Sequence, residues 1–160
     1  MLPLRPSFHI ALHEPRIPAN TGHIIRLSAN IGCQLHLIEP LGFDLEEKKL
    51  RRAGLDYQDL AKVSRHASFD ELRNELSDQR ILAVTTRGIT RYHEVTYRPN
   101  DVLLFGSETS GLPESVRERI ELVNHIRIPM QADCRSLNLS NAVAIVAYET
   151  WRQLNFTGNR

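Results

Sequence analysis

Short apolar runs alternate along the chain with segments whose apolar positions recur at helical spacing, the pattern of an α/β fold. Residues 8–12 predict a first strand, and residues 20–31 a helix with Asn20 as its N-cap and Gly32 as its stop. Residues 34–38 predict a second strand closed by Pro40, residues 46–53 a short helix ending at Gly54, and residues 62–64 a brief strand. Residues 68–76 predict a helix in which Ser68 and Glu71 form a capping box. A strand over 81–85 is followed by a polar stretch to Asn100. Val102, Leu103, Leu104 and Phe105 are continuously apolar and stop at Gly106, as a buried parallel strand does. A helix over 113–119 opening on Pro113, a strand over 125–128 and a long helix over 138–154 complete the pattern.

That last helix is apolar on more than one side, through Leu139, Ala142, Val143, Ile145, Val146, Ala147, Tyr148, Trp151 and Leu154. Such a helix is buried on several faces. In a chain of 160 residues this predicts a homodimer interface, with Val143 in it. No repeat or linker interrupts the pattern, so residues 1–160 are expected to form one domain with a core over about 8–154.

Composition narrows the function classes. Apolar residues make up 41% and the net charge is +1, so no strongly basic domain announces nucleic acid, and any RNA contact must come from a local patch. No apolar run nears the roughly 18 residues that span a bilayer, and the stretch from Met1 to Ser7 lacks a signal-peptide core; a cytoplasmic protein with no membrane partner is expected. Cys33 reads as a core residue and Cys134 as part of a polar loop; they form neither a disulfide framework nor a metal spacing. None of the seven histidines has partners at metal-ligand spacing, so no metal is expected.

Three stretches carry more polar chemistry than scaffold needs, each just after a predicted strand, where open α/β sheets place ligands. In the first, a Pro-rich loop leads to Asn20, Thr21 and Gly22 at a helix start, whose amides suit an anion, with Arg26 expected on the same face as Asn20. In the second, Gly106 and Gly111 bracket a tight loop holding Glu108. In the third, Ser136, Asn138, Ser140 and Asn141 crowd a helix start beyond what capping requires. Lys48, Lys49, Arg51 and Arg52, followed by Arg65, form a basic patch that reads either as a solvated helix face or as a phosphate contact.

Taken together, and in this order, the three stretches resemble the three motifs of the SpoU branch of the SPOUT methyltransferases. Ile38-Glu39-Pro40, the run from Leu50 to Tyr57 and that from Tyr148 to Leu154 are further similar to the TrmL type, the tRNA (cytidine/uridine) wobble-nucleotide 2′-O-methyltransferases. The likeness runs from about Phe8 to Leu154. It implies a parallel sheet flanked by helices with a C-terminal deep trefoil knot, which pattern reasoning would not predict. It also implies a homodimer packed through the knot and last helix, S-adenosylmethionine (AdoMet) as methyl donor and tRNA as substrate. On the matching positions it implies a cofactor pocket from Val84, Thr85, Gly106, Ile128, Ser136, Leu137 and Asn138. Arg26, Asn20, Glu108 and Asn138 fall at the catalytic positions, and Lys48, Lys49, Arg51, Arg52, Arg65, Arg135 and Tyr148 are the RNA-contact candidates.

Arginine stays protonated in proteins. The easier role for Arg26 is therefore to hold an RNA phosphate and stabilise the developing alkoxide, with Asn20 and Glu108 orienting it and the ribose. Two rival readings share the fold: a relative acting on another tRNA position or on rRNA, and a non-catalytic RNA- or AdoMet-binding module. An unrelated nucleotide-binding enzyme is disfavoured because no phosphate-loop motif is present.

Overall fold

The computed structural model describes residues 6–45, 52, 54–55, 59–60 and 62–160. Its elements are β1 (His9–His13), α1 (Pro18–Ile31), β2 (Gln34–Ile38), β3 (Val63–His66), α2 (Phe69–Glu75), β4 (Ile81–Val84), β5 (Thr90–Arg91), β6 (Val102–Phe105), α3 (Glu114–Arg117), a 3-10 turn (Leu122–Asn124), β7 (His125–Arg127) and α4 (Leu139–Gln153). Seven strands form one sheet in the order β3-β2-β1-β6-β4-β7-β5, and every pairing is parallel. The helix expected over 46–53 lies outside the described residues, apart from Arg52.

Strand alternation sends successive side chains to opposite faces. Ile10, Leu12, Leu35, Leu37, Leu103 and Phe105 pack with Ile24 and Ile25 of α1 and Val143, Val146 and Ala147 of α4. Ala11, Ile38, Ala83 and Leu104 pack on the other side with Phe69 and Leu72 of α2 and with Val116 of α3. Helices therefore cover both faces, as an all-parallel sheet requires.

Several local expectations need correction. Asn20 is not the cap of α1: the helix opens earlier, on Pro18, and Ile17 holds the cap position with no side-chain bond. Proline at the first helical turn explains the earlier start, since its missing amide costs nothing there. Gly32 does end the helix, with φ 72°. The capping box of α2 is displaced by one residue: Ser68 accepts from Glu71 N–H, while Glu71 reaches back to Ala67 N–H at 2.6 Å, not to Ser68. The polar stretch to Asn100 contains β5, too short to leave a periodic signature. Val143 is fully buried inside the protomer, so it belongs to the core and not to an outer interface; the outward positions of α4 are Asn141, Tyr148 and Arg152, with Ile145 half-buried.

Val84 and Thr90 both pair with Ile126, on its two sides. Residues 85–89 therefore arch across β7 as a strap, held by Thr85 N–H to Ile126 O (2.9 Å) and Ile89 N–H to His125 O (3.1 Å). Gly88 is required at the crossing: a Cβ there would stand 2.4 Å from the carbonyl carbon of Ile126.

Candidate active site

The C-terminal ends of β4, β6 and β7 open into a cavity of about 380 Å³. That is within the range of small-molecule sites, roughly 300–1,000 Å³. Val84, Thr85, Gly106, Glu108, Ile128, Ser136 and Leu137, all read from the sequence as site residues, line it. The strap over β7, the loop after β6 and the loop before α4 each contribute one wall. The loop after β6 folds hard onto itself. Ser107 and Gly111 form an isolated bridge, and a Cβ on Gly106 would meet the Gly111 carbonyl carbon at 2.1 Å. A side chain at Gly106 would push this wall apart.

Glu108 works at the junction of the loops. One carboxylate oxygen accepts from Arg16 N–H at 2.8 Å. The other accepts from Ile17 N–H at 3.1 Å and from Asn20 Nδ2 at 3.4 Å. The chain thus supplies its own anion to amides leading into α1, where the sequence left room for a phosphate. Asn20 is 6% exposed, and its Oδ1 accepts from Asn138 Nδ2 at 3.1 Å. Asn138 also caps α4: its Oδ1 accepts from Ser140 N–H (2.9 Å), Ser140 Oγ–H (2.6 Å) and Asn141 N–H (3.4 Å). Glu108, Asn20 and Asn138 therefore form one hydrogen-bonded chain through all three loops.

Asn20 and Asn138 are not among the residues lining the cavity; their side chains bond within the chain just described. Glu108 orients the start of α1, and not Arg26. Arg26 does not share a face with Asn20: at about 100° per residue a six-residue step leaves them about 120° apart. Asn20 is buried and Arg26 exposed. Arg26 makes no hydrogen bond or ion pair with a described residue, and its Nη1 is 3.9 Å from where a Cβ on Gly54 would stand.

Arg52, Arg135 and Tyr148 are exposed. Arg65 is exposed but paired with Glu39 at 2.8 Å. Lys48, Lys49 and Arg51 lie outside the described residues. Arg87 and Arg117 line the cavity and were not read from the sequence. The rule that ligands sit past strand ends pointed to Arg87, three residues beyond β4; nothing in the pattern marked Arg117.

Two histidine arrangements flank the first loop. His13 ends β1 with its Nδ1 3.6 Å from Glu14; burial lowers its pKa against the opposing pull of that carboxylate. Deeper in the sheet, His9 Nδ1 meets His36 Nε2 at 3.0 Å, His36 Nδ1 meets His66 Nε2 at 2.9 Å, and His66 Nδ1 stands 3.2 Å from Glu75. Burial, reinforced by the two neighbouring imidazoles, holds His36 down to about 3. Among the described residues no cluster of His, Cys, Asp and Glu has metal-site geometry, and no helix is long and apolar enough to cross a membrane.

Residues 7–148 match the SpoU rRNA Methylase family. A tRNA (cytidine(34)-2′-O)-methyltransferase from Saccharophagus degradans is 51% identical over 96% of this chain and 99% of its own length. Among solved structures, one concerned with the 2-OH methylation of C/U34 on tRNA superposes with a TM-score of 0.85 at 44% identity, covering 92% of this chain and 96% of that one. An AdoMet-bound rRNA methyltransferase from Sinorhizobium meliloti superposes at 0.81 with 27% identity, over 96% of this chain and 59% of that one.

Proposed function

Because the chain belongs to the SpoU rRNA Methylase family, we propose that it transfers a methyl group from AdoMet to the ribose 2′-hydroxyl of nucleotide 34, a cytidine or uridine, in tRNA. The observation that carries this reading is the Glu108–Asn20–Asn138 chain, which reaches the cavity at Glu108 and ties all three loops to one another.

The cavity suits AdoMet chemically. Val84, Leu112, Ile128 and Leu137 offer apolar wall to an adenosine, while Ser107, Arg87 and Arg117 offer polar groups to an amino-acid end. When bound, AdoMet supplies a methyl group already activated by its sulfonium. The protein's part is to orient, exclude water and manage charge. Gly106 lets the backbone close on the ligand. The hydrogen-bonded chain sets the first loop against the third. Positioning of this kind is worth up to about 7–11 kcal/mol when the reacting atoms are aligned. Arg26, with no partner among the described residues, holds an RNA phosphate and stabilises the oxyanion that develops as the 2′-hydroxyl loses its proton.

RNA is held by phosphate contacts from Arg52 and Arg135, joined by Lys48, Lys49 and Arg51, with Tyr148 available to stack on a base. Arg65 joins only by exchanging Glu39 for phosphate. The whole chain acts as one domain in the cytoplasm, as a homodimer packed through its knot and the outward side of α4. The strap of residues 85–89 over β7 supports the reading of a knotted chain.

The test is transfer of labelled methyl from AdoMet to tRNA, with mass-spectrometric mapping of the product. Label at the 2′-oxygen of nucleotide 34 supports the reading, with Arg26→Ala reducing turnover at least about 100-fold. Label at another nucleotide, or none, overturns it.

A further inference from the structure

We propose that Arg117 reads the carboxylate of the AdoMet amino-acid moiety and is the specificity-determining cation of the cavity, an inference that rests on the AdoMet reading above. Arg117 lies on α3, half-buried, and lines the cavity. Its Nε donates to Leu112 O at 3.2 Å, in the wall that Gly106 closes. That bond fixes the plane of the guanidinium. The two terminal nitrogens make no hydrogen bond to any described residue, so the end-on fork is free. A fork of N–H donors with no acceptor matches a carboxylate in bidentate fashion.

The other parts of the cofactor match it poorly. The adenine edges mix donors and acceptors, so a donor-only fork leaves one of their N–H groups facing another. The ribose diol is neutral, and the sulfonium and ammonium are cations that Arg117 repels. Among the described residues, Glu108 is the one carboxylate lining the cavity. Its oxygens are already engaged by Arg16, Ile17 and Asn20, so it does not compete for the fork. Arg87 is the other cation in the wall, but it is exposed and its side chain is tied to no described residue. An untethered arginine loses more rotamer freedom on binding than one already held. The carboxylate is present before and after methyl transfer, so Arg117 contributes uniform binding.

Calorimetry with S-adenosylhomocysteine and with 5′-methylthioadenosine, which lacks the amino-acid carboxylate, tests this on wild type, Arg117→Gln and Arg117→Lys. Arg117→Gln is expected to weaken S-adenosylhomocysteine about 10- to 100-fold, the range of a hydrogen bond to a charged group. Methylthioadenosine should change less than about twofold, and Arg117→Lys should fall between, since it keeps the charge and loses the fork. In turnover, KM for AdoMet should rise with kcat nearly unchanged. Equal weakening of both ligands, or of neither, overturns the assignment; equal weakening identifies Arg117 as a prop for the wall. Failure of the wild type to bind either ligand sinks the AdoMet reading itself, and this inference with it.

Discussion

Asn138 donates to Asn20 at 3.1 Å, and the same Asn20 donates to Glu108. The N-termini of α1 and α4 are thereby locked together beside the loop that follows β6. Asn20 is 6% exposed, so an alanine there leaves the Asn138 amide without its partner. Asn20→Ala is expected to lower kcat about 10- to 100-fold, as misplacement of catalytic groups does. The affinity for S-adenosylhomocysteine should fall much less, because Asn20 does not line the cavity. Stopped-flow methyl transfer and calorimetry on one preparation separate the two effects.

Glu108 brings a charge as well as a shape. Its carboxylate faces two backbone amides leading into α1, a position where an anion is favourable. Glu108→Gln keeps the length of the side chain but replaces an acceptor oxygen with a donor that faces an amide. The expected outcome is a loss of about 1–2 kcal/mol in urea unfolding, together with reduced turnover. Unchanged stability would mean that the first and second loops are held by something else.

Asp101 and Arg80 tie the segment before β6 to the segment before β4, its neighbour in the sheet. Asp101 is 1% exposed and takes Arg80 at two points, Nε at 2.9 Å and Nη2 at 2.6 Å, and Arg98 N–H at 2.8 Å. Removing one partner of a buried pair strands the other. Asp101→Ala is expected to cost about 3 kcal/mol, measured by chemical denaturation, with S-adenosylhomocysteine affinity preserved in the folded fraction because the pair sits at the opposite strand ends from the cavity.

The histidine ladder sets an acid limit. Unfolded histidine titrates near 6.5, whereas His36 takes a proton in the fold only near about 3, and burial also lowers His9. Between those pH values the unfolded chain binds more protons, so stability falls as pH drops from 6.5 toward 3 and is insensitive to this group above 6.5. Each pKa unit is worth about 1.4 kcal/mol. His36→Gln is expected to lower stability at neutral pH by about 1–2 kcal/mol and to flatten the decline between pH 6.5 and about 4. Urea midpoints across that range check the slope; parallel curves for both proteins would rule the ladder out as its source.

Outward positions of α4 test the dimer. Val143 is fully buried in the protomer and Tyr148 is 44% exposed. Val143→Glu is expected to unfold the chain, by burying an unpaired charge. Ile145→Glu should instead give a folded monomer in sedimentation velocity, with a native circular dichroism spectrum. A folded dimer of Ile145→Glu would place the interface elsewhere.

Much of the fold is readable along the chain because it depends on local chemistry. β2 falls where its apolar run lies, and Gly32 ends α1 as a left-handed residue after a helix should. The start of α1 misled because Asn20 looks like a cap, while the anion at this end is Glu108, bound to the Arg16 and Ile17 amides just before the helix, and it approaches only once β6 is inserted beside β1. No local pattern contains that pairing. The strap over β7 was equally hidden: β5 has two residues, and the need for Gly88 arises only when residues 85–89 cross Ile126. The cavity walls were legible from loops that follow strands. Arg117 was not, because no local pattern shows its side chain turning back from α3 to bond Leu112 O beside the cavity. The error over Arg26 was one of helical phase, since six residues carry a side chain well away from its starting face.

A crystal structure of the protein with S-adenosylhomocysteine tests the whole account most directly. The adenosine should lie among Thr85, Gly106, Ile128 and Leu137, with the sulfur turned toward the Asn20 end and the carboxylate on Arg117. Density for the ligand anywhere else on the protein, or a cavity that stays vacant in crystals soaked at saturating concentration, would contradict it.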